Sequence, residues 1–217
     1  MTARKRAFTL IELLIVVAII AILAAIAVPN FLEAQVRSKI ARAKADMRSL
    51  GTGIEEYAVD YNVPPPDLRV LAFFDGVTFG SLSDEEKAVY QIKSLFSLTT
   101  PISYMTSIPR DPFRDKAGVI RAGGNVIDRP YYNYFTPYFA SLGVGIGGKA
   151  DVAAKSLGYT WILYSVGPGR DQTMSVQRVL GGIWDKAVPY DATNGTTTRG
   201  YIIRTNKGEF VGEEVPK

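Results

Sequence analysis

The chain has 217 residues, 47% of them hydrophobic and 11% aromatic, enough for one membrane-spanning helix and one modest packed domain. A net charge of +4 is too weak a balance to argue for nucleic-acid binding. The sequence holds no Cys and no His, which excludes a disulfide framework, a thiolate metal site, the usual nucleophile triads and the commonest general base. No carboxylate spacing marks glycoside chemistry either. No catalytic residue is therefore expected.

The first element is Phe8 to Val28, an apolar stretch preceded by Arg4, Lys5 and Arg6 and followed by Pro29. Its length is close to the ~20 residues a helix needs to cross a hydrocarbon core. The basic cluster before it places that end in the cytoplasm and the rest of the chain across the membrane. Glu12 is the one charge in the stretch. A carboxylate within a bilayer costs on the order of 3 kcal/mol even on lenient insertion scales. Either Glu12 snorkels to the interface, or its partner comes from elsewhere. An N-terminal ammonium exposed by cleavage, in this chain or a neighbouring copy, would serve. Two other readings of the segment stand beside these. Ala25-Ile26-Ala27 is the kind of small-residue site at which a conventional signal peptide is cut, and the segment also reads as an uncleaved anchor. The length of the apolar run, Glu12 and the helical pattern continuing past Ala27 weigh against the conventional signal.

The run Ala7-Phe8-Thr9-Leu10-Ile11-Glu12-Leu13-Leu14-Ile15-Val16-Val17-Ala18 resembles the class III signal of type IV pilins and of the major pseudopilins of type II secretion. The resemblance implies cleavage by a prepilin peptidase between Ala7 and Phe8, with methylation of the new Phe8 amine. It makes Glu12 the fifth residue of the mature chain, which meets the N-terminal amine of an adjacent subunit during assembly. It matches Pro29 to the proline at which the helix locally unwinds in filaments. Ala7 stands where the family usually has Gly.

Next, Val36, Ile40, Ala43, Met47, Leu50, Ile54, Tyr57 and Tyr61 recur at spacings of 4, 3, 4, 3, 4, 3 and 4, one apolar face of a helix. Pro64-Pro65-Pro66 ends it. Phe8 to about Tyr61 would form one helix roughly 80 Å long. The seam reads either as a two-stranded coiled coil or as packing on the chain's own C-terminal domain. Its short length and terminal aromatics favour the second. Gly51 and Gly53 each weaken the helix by roughly 1 kcal/mol, so packing must hold it there.

After an irregular stretch containing Phe73, Phe74 and Phe79, Ser83-Asp84-Glu85-Glu86 reads as a capping box opening a helix. Val89, Ile92, Leu95 and Phe96 are its expected buried face, and Leu98-Thr99-Thr100-Pro101-Ile102 its end. Pro109-Arg110-Asp111-Pro112 is a turn similar to a segment that precedes the sheet in major pseudopilins. Three strands are expected, at Tyr131–Phe139 (an edge strand, or one that Pro137 ends early), Tyr159–Val166 and Gly200–Thr205. Ser141 to Lys155 reads as a loop. Gly167-Pro168-Gly169-Arg170-Asp171 reads as a tight turn and not a phosphate loop.

The expected fold class is α+β, with the strands antiparallel and laid against the long helix. With the resemblance, it is pilin-like. Residues 1–7 are then a leader, 8–29 the transmembrane and assembly helix, 30–62 its amphipathic half and 63–217 an extracytoplasmic head. Major pseudopilins bind calcium in their C-terminal loop. Calcium takes six to eight oxygen ligands. Asp171, Asp185, Asp191 and Asn194 lie in loops between strands, and Asp191-Ala192-Thr193-Asn194-Gly195 reads as an ordinary turn, with calcium in these loops the weaker alternative because the family's denser acidic loop is not reproduced. No metal ligand or cofactor is expected.

The implied function is a structural subunit of a secretion pseudopilus or type IV pilus-like filament. Its partners would be copies of itself, other pilins, the prepilin peptidase, the inner-membrane assembly platform and membrane lipid before assembly. It would be a single-pass protein of the bacterial cytoplasmic membrane, head outside, until it enters the filament. The alternatives are a minor pilin acting as an adhesion or DNA- or partner-binding module, and a plain anchored or secreted domain.

Overall fold

A computed structural model describes residues 9–114, 130–141, 149–169, 190 and 200–209. The chain divides into two compact units, Met1–Ser38 and Lys39–Lys217.

Helix α1, Leu10–Tyr61, begins in the first unit and ends in the second, and runs through Pro29. In the first unit its apolar side chains from Leu10 to Leu32 stand exposed. In the second unit the expected seam is buried at Ile40, Ala43, Met47, Leu50 and Ile54, while Tyr61 is exposed. Asn62 ends the helix in the left-handed region at φ 58°, a conformation Asn tolerates better than most residues.

The buried seam packs on the chain's own second unit, as side-chain bonds across it show. Tyr132 OH donates to Asp46 (3.0 Å), Trp161 Nε1 donates to Glu55 (2.6 Å) and Tyr104 OH donates to Asp60 (2.6 Å). Gly51 lies under the Trp161 ring. A Cβ built there would stand 3.1 Å from Trp161 Cη2 and from Arg204 Nε. The glycine that weakens the helix is the place where the indole approaches its backbone.

The sheet is antiparallel in the order β1 (Asn133–Phe135), β2 (Ile162–Ser165), β3 (Ile202–Thr205), β4 (Gly208–Glu209). Register pairs Tyr134 with Leu163 and Tyr164 with Ile203. The α+β class is thus the observed one. All three expected strands form but are shorter than their sequence signals. The first is an edge strand, closed by a 3-10 turn from Pro137 to Ser141 because proline cannot donate to a ladder. A small cluster of Ala154, Tyr159, Ile162, Tyr201 and Ile203 forms part of the core.

The expected loop from Ser141 to Lys155 is corrected. Lys149–Ser156 is a helix, α4. It carries Asp151 in its first turn and Lys155 in its last, in keeping with the helix dipole. The stretch after the prolines is also ordered, as helix α2, Leu68–Phe74, capped by Asp67. Helix α3, Asp84–Phe96, opens on the expected capping box, Ser83 with Glu86. Its expected buried face is wrong in part. Leu95 is buried, but Val89 and Phe96 are exposed, and Gln91 and Ser94 lie inside instead. Gln91 Nε2 donates to Asn133 Oδ1 (2.7 Å) and to the Tyr132 carbonyl (3.3 Å), which makes a polar side chain tolerable there.

Candidate functional site

The residues singled out for assembly sit at the start of α1. Thr9 is its N-cap and Glu12 its third helical residue. Thr9 N and Oγ1 donate to Glu12 Oε2 at 2.9 and 2.6 Å, and Glu12 N donates back to Thr9 Oγ1 at 3.3 Å. This is a capping box, and it satisfies donors that a helix start leaves open. Glu12 therefore has donors within its own chain. The apolar turns behind it offer no polar group. Its other carboxylate oxygen can accept from a further donor, such as an ammonium. The Thr9-x-x-Glu12 spacing is legible in the sequence by the same motif as Ser83-x-x-Glu86. Reading Glu12 only as a charge in an apolar run hides it.

Ala7 and Phe8, the expected cleavage and methylation positions, lie outside the described residues. Pro29 sits inside α1 without ending it, which agrees with the loss of a single backbone bond there. At the far end of the apolar stretch Arg37 donates to Glu33 (2.5 Å), an exposed i,i+4 pair. Among the described residues, α1 is the one helix long and apolar enough to cross a membrane, and none of its most apolar window is buried.

Two buried carboxylates organise the second unit. Asp67 caps α2 through the backbone N–H groups of Arg69 (2.9 Å) and Val70 (3.2 Å), and also accepts from Thr136 N (3.1 Å). Arg69 is held between Asp67 and Asp151, which fastens α2 to α4. Burial works against its charge, but the two carboxylates outweigh burial and raise its guanidinium further above its ordinary range. Asp111, from the Pro-Arg-Asp-Pro turn, accepts from Phe113 N (3.0 Å), Ser165 Oγ (2.9 Å) and Val166 N (3.4 Å), tying the turn to the end of β2. Burial pushes its carboxyl up, against the pull of these donors and Arg114. Both carboxylates spend their lone pairs on the fold, so neither reads as a catalytic group.

At the start of the Gly167-Pro168-Gly169 turn, Gly167 has φ +65°, and a Cβ there would stand 2.2 Å from the Gly200 carbonyl. Only glycine fits. Among the described residues no three His, Cys, Asp or Glu side chains converge as a metal site would need. Asp171, Asp185, Asp191 and Asn194 lie outside the described residues, as does the end of that turn.

Residues 2–28 match the family model described as the prokaryotic N-terminal methylation motif. The chain is 35% identical over 113 residues to the type IV major pilin protein PilA of Myxococcus xanthus, covering 51% of each chain. It is 45% identical over 60 residues to the type IV major fimbrial protein FimA of Dichelobacter nodosus, covering 28% of this chain and 38% of that one. It is 34% identical over 67 residues to the type IV major pilin protein PilE of Neisseria gonorrhoeae, covering 31% and 40%. The chain thus spans about half the length of the first of these and less of the others. No solved structure matches it.

Proposed function

We propose, from the premise that the N-terminal region of this chain is that of the type IV pilin family, that the protein is a structural subunit polymerised through the first half of α1. The observation that carries the reading is the exposed apolar surface from Leu10 to Leu32, which nothing among the described residues covers. Burying a single Leu or Ile side chain is worth roughly 1.5–3 kcal/mol. A surface of this size needs lipid before assembly and neighbouring copies after it.

On this reading a prepilin peptidase cuts between Ala7 and Phe8 and methylates Phe8. The subunit waits in the cytoplasmic membrane with its head outside, and the assembly platform draws it into the filament. Basic residues stand on both sides of the span, at Arg4–Arg6 and from Arg37 onward. They do not fix the orientation by themselves. The long head translocates largely regardless of charge, so the basic residues from Arg37 onward do not oppose the outward placement that Arg4–Arg6 favour. The capping box keeps the Glu12 carboxylate hydrogen-bonded in the single subunit. In the filament the amine of a neighbouring Phe8 joins it and sets axial register, a known use of buried ion pairs. The names of the matched relatives favour a pilus over a secretion pseudopilus. The role is structural and not enzymatic, and it calls on no cofactor.

The test is Glu12→Ala in a strain that assembles the filament. Membrane insertion should persist and filament yield should fall at least tenfold, the scale of a lost buried ion-pair contact of about 1.4 kcal/mol or more. Normal yield would remove Glu12 from assembly. The mass and N-terminus of the membrane form give an independent reading. A chain beginning at Phe8 with one methyl group is expected. One beginning at Val28 would make the segment a conventional signal and end the filament proposal.

A further inference from the structure

The charged residues of α1 in the second unit are sorted by sign. Lys39, Arg42, Lys44 and Arg48 come first, with Asp46 alone among them, and Glu55, Glu56 and Asp60 follow. The sheet adds Arg204 from β3 and Glu209 from β4 to the basic part. Glu209 lies 2.9 Å from Arg48, 3.6 Å from Lys44 and 3.6 Å from Arg204, and Asp46 lies 3.8 Å from Arg42. Among the described residues, four of these five cations thus share two carboxylates. Asp46 also accepts from Tyr132 (3.0 Å). The Arg42 and Arg48 side chains remain 64% and 60% exposed. Exposed ion pairs of this kind are worth little, so exchanging such a carboxylate for another anion costs little.

We propose that this basic band is a headgroup site for anionic phospholipid, occupied while the subunit waits in the membrane. The proposal rests on the reading of the apolar half of α1 as membrane-embedded. The order of charges argues for it. In sequence these cations stand nearer the apolar stretch than Glu55, Glu56 and Asp60, the order that a negatively charged bilayer surface favours, and Glu33, the acid ahead of them, is paired with Arg37. Each Lys or Arg near such a surface attracts it by about 1 kcal/mol, roughly a factor of five in binding, within about a Debye length. Among the described residues the exposed aromatic side chains of α1 are Phe31 and Tyr61, and none lies between Lys39 and Arg48 to stack nucleic-acid bases. The band holds the subunit at a set depth and must release its lipids on extraction into the filament.

The experiment uses the full chain in phosphatidylcholine vesicles containing a minor fraction of phosphatidylglycerol, with spin-labelled versions of each lipid as probes. Motionally restricted phosphatidylglycerol should exceed phosphatidylcholine about three- to fivefold, falling toward parity at 1 M salt. Lys39→Gln/Arg42→Gln/Lys44→Gln/Arg48→Gln should lose most of the preference but keep the same number of restricted lipids. Arg42→Lys/Arg48→Lys should retain the preference. Millimolar glycerol phosphate should not displace the lipid. Should the fourfold variant fail to fold, Lys39→Gln/Arg42→Gln replaces it, with about half the loss expected. Equal affinity for the two lipids would overturn the proposal. So would a preference unchanged in the variants, which would assign it to Arg37 or to Arg4, Lys5 and Arg6, or displacement by glycerol phosphate, which would make it a soluble-anion site. Absence of any restricted lipid would instead overturn the membrane reading beneath it.

Discussion

The two halves of α1 are built from the same kind of residue and have opposite fates. Leu14 is 61% exposed and Leu50 is fully buried, yet each sits in a continuous helix rich in aliphatic side chains. The first half is apolar on every face, and no single face needs a partner more than another. The second half is apolar on one seam and charged elsewhere, so its own sheet can cover it. Apolarity all round belongs to a helix completed by something outside the chain, and apolarity on one face to a helix completed within it.

The largest test of this contrast is a pair of truncations. Leu50→Ala should destabilise the head by about 2–5 kcal/mol, the usual cost of an emptied aliphatic site. Leu14→Ala should leave head stability unchanged, since Leu14 is 61% exposed and nothing among the described residues of the head covers it. Denaturant unfolding of the detergent-solubilised protein, followed by near-UV circular dichroism, measures both. A comparable loss from Leu14→Ala would mean that the two halves are not separate in function, and the contrast would fail.

Legibility follows the same division. The seam from Ile40 to Ile54 could be read directly because its burial is periodic and local periodicity is what a sequence displays. The strands could be read from their β-branched and aromatic runs, though not their ends, since pairing partners decide where a ladder stops. Helices α2 and α4 could not be read. Each is short, and the Arg69 bridge between Asp67 and Asp151 joins residues far apart in sequence. The polar interior of α3 was hidden for the same reason, because Gln91 finds its acceptors some forty residues away, at Tyr132 and Asn133. At the assembly end, the Glu12 position is legible as a charge in an apolar run and the Thr9 partnership as a capping motif. The amine expected to complete it belongs to no residue this structure describes.

Gly51→Ala sharpens the contrast at the packed end. In an exposed helix this change gains about 1 kcal/mol of propensity. Here the new methyl would meet the Trp161 ring and the Arg204 side chain at 3.1 Å. The indole is tethered by its hydrogen bond to Glu55 (2.6 Å) and lies almost wholly buried, so it has little room to yield. Overpacking costs about 1–3 kcal/mol, and a net loss of about 1 kcal/mol is expected in the same unfolding assay. A gain in stability would show that the helix and sheet meet more loosely than the buried seam implies.

The smallest effect lies at the edge of the head, where Glu209 joins β4 to α1. Its partial burial pushes the carboxyl up, but the hydrogen bond from Arg48 and the charges of Lys44, Arg48 and Arg204 outweigh that and hold it below its ordinary value of 4.5. A carboxylate with a depressed folded-state value adds stability above its unfolded pKa and loses it as pH falls through the folded value. The contribution is therefore complete near neutrality and is lost as pH falls through the lowered folded-state value. Glu209 is partly buried, but its partner Arg48 is 60% exposed, and solvent and salt screening keep the effect to a few tenths of a kcal/mol. Arg48→Ala should move the Glu209 midpoint toward its ordinary value in a carboxyl-resolved NMR titration and flatten the acid limb of stability slightly. A midpoint that does not move would mean that Lys44 and Arg204 hold the carboxylate unaided. Lys44 would then carry the ionic join between helix and sheet beside Trp161 and Tyr132, and Arg48 would be free to face a membrane surface.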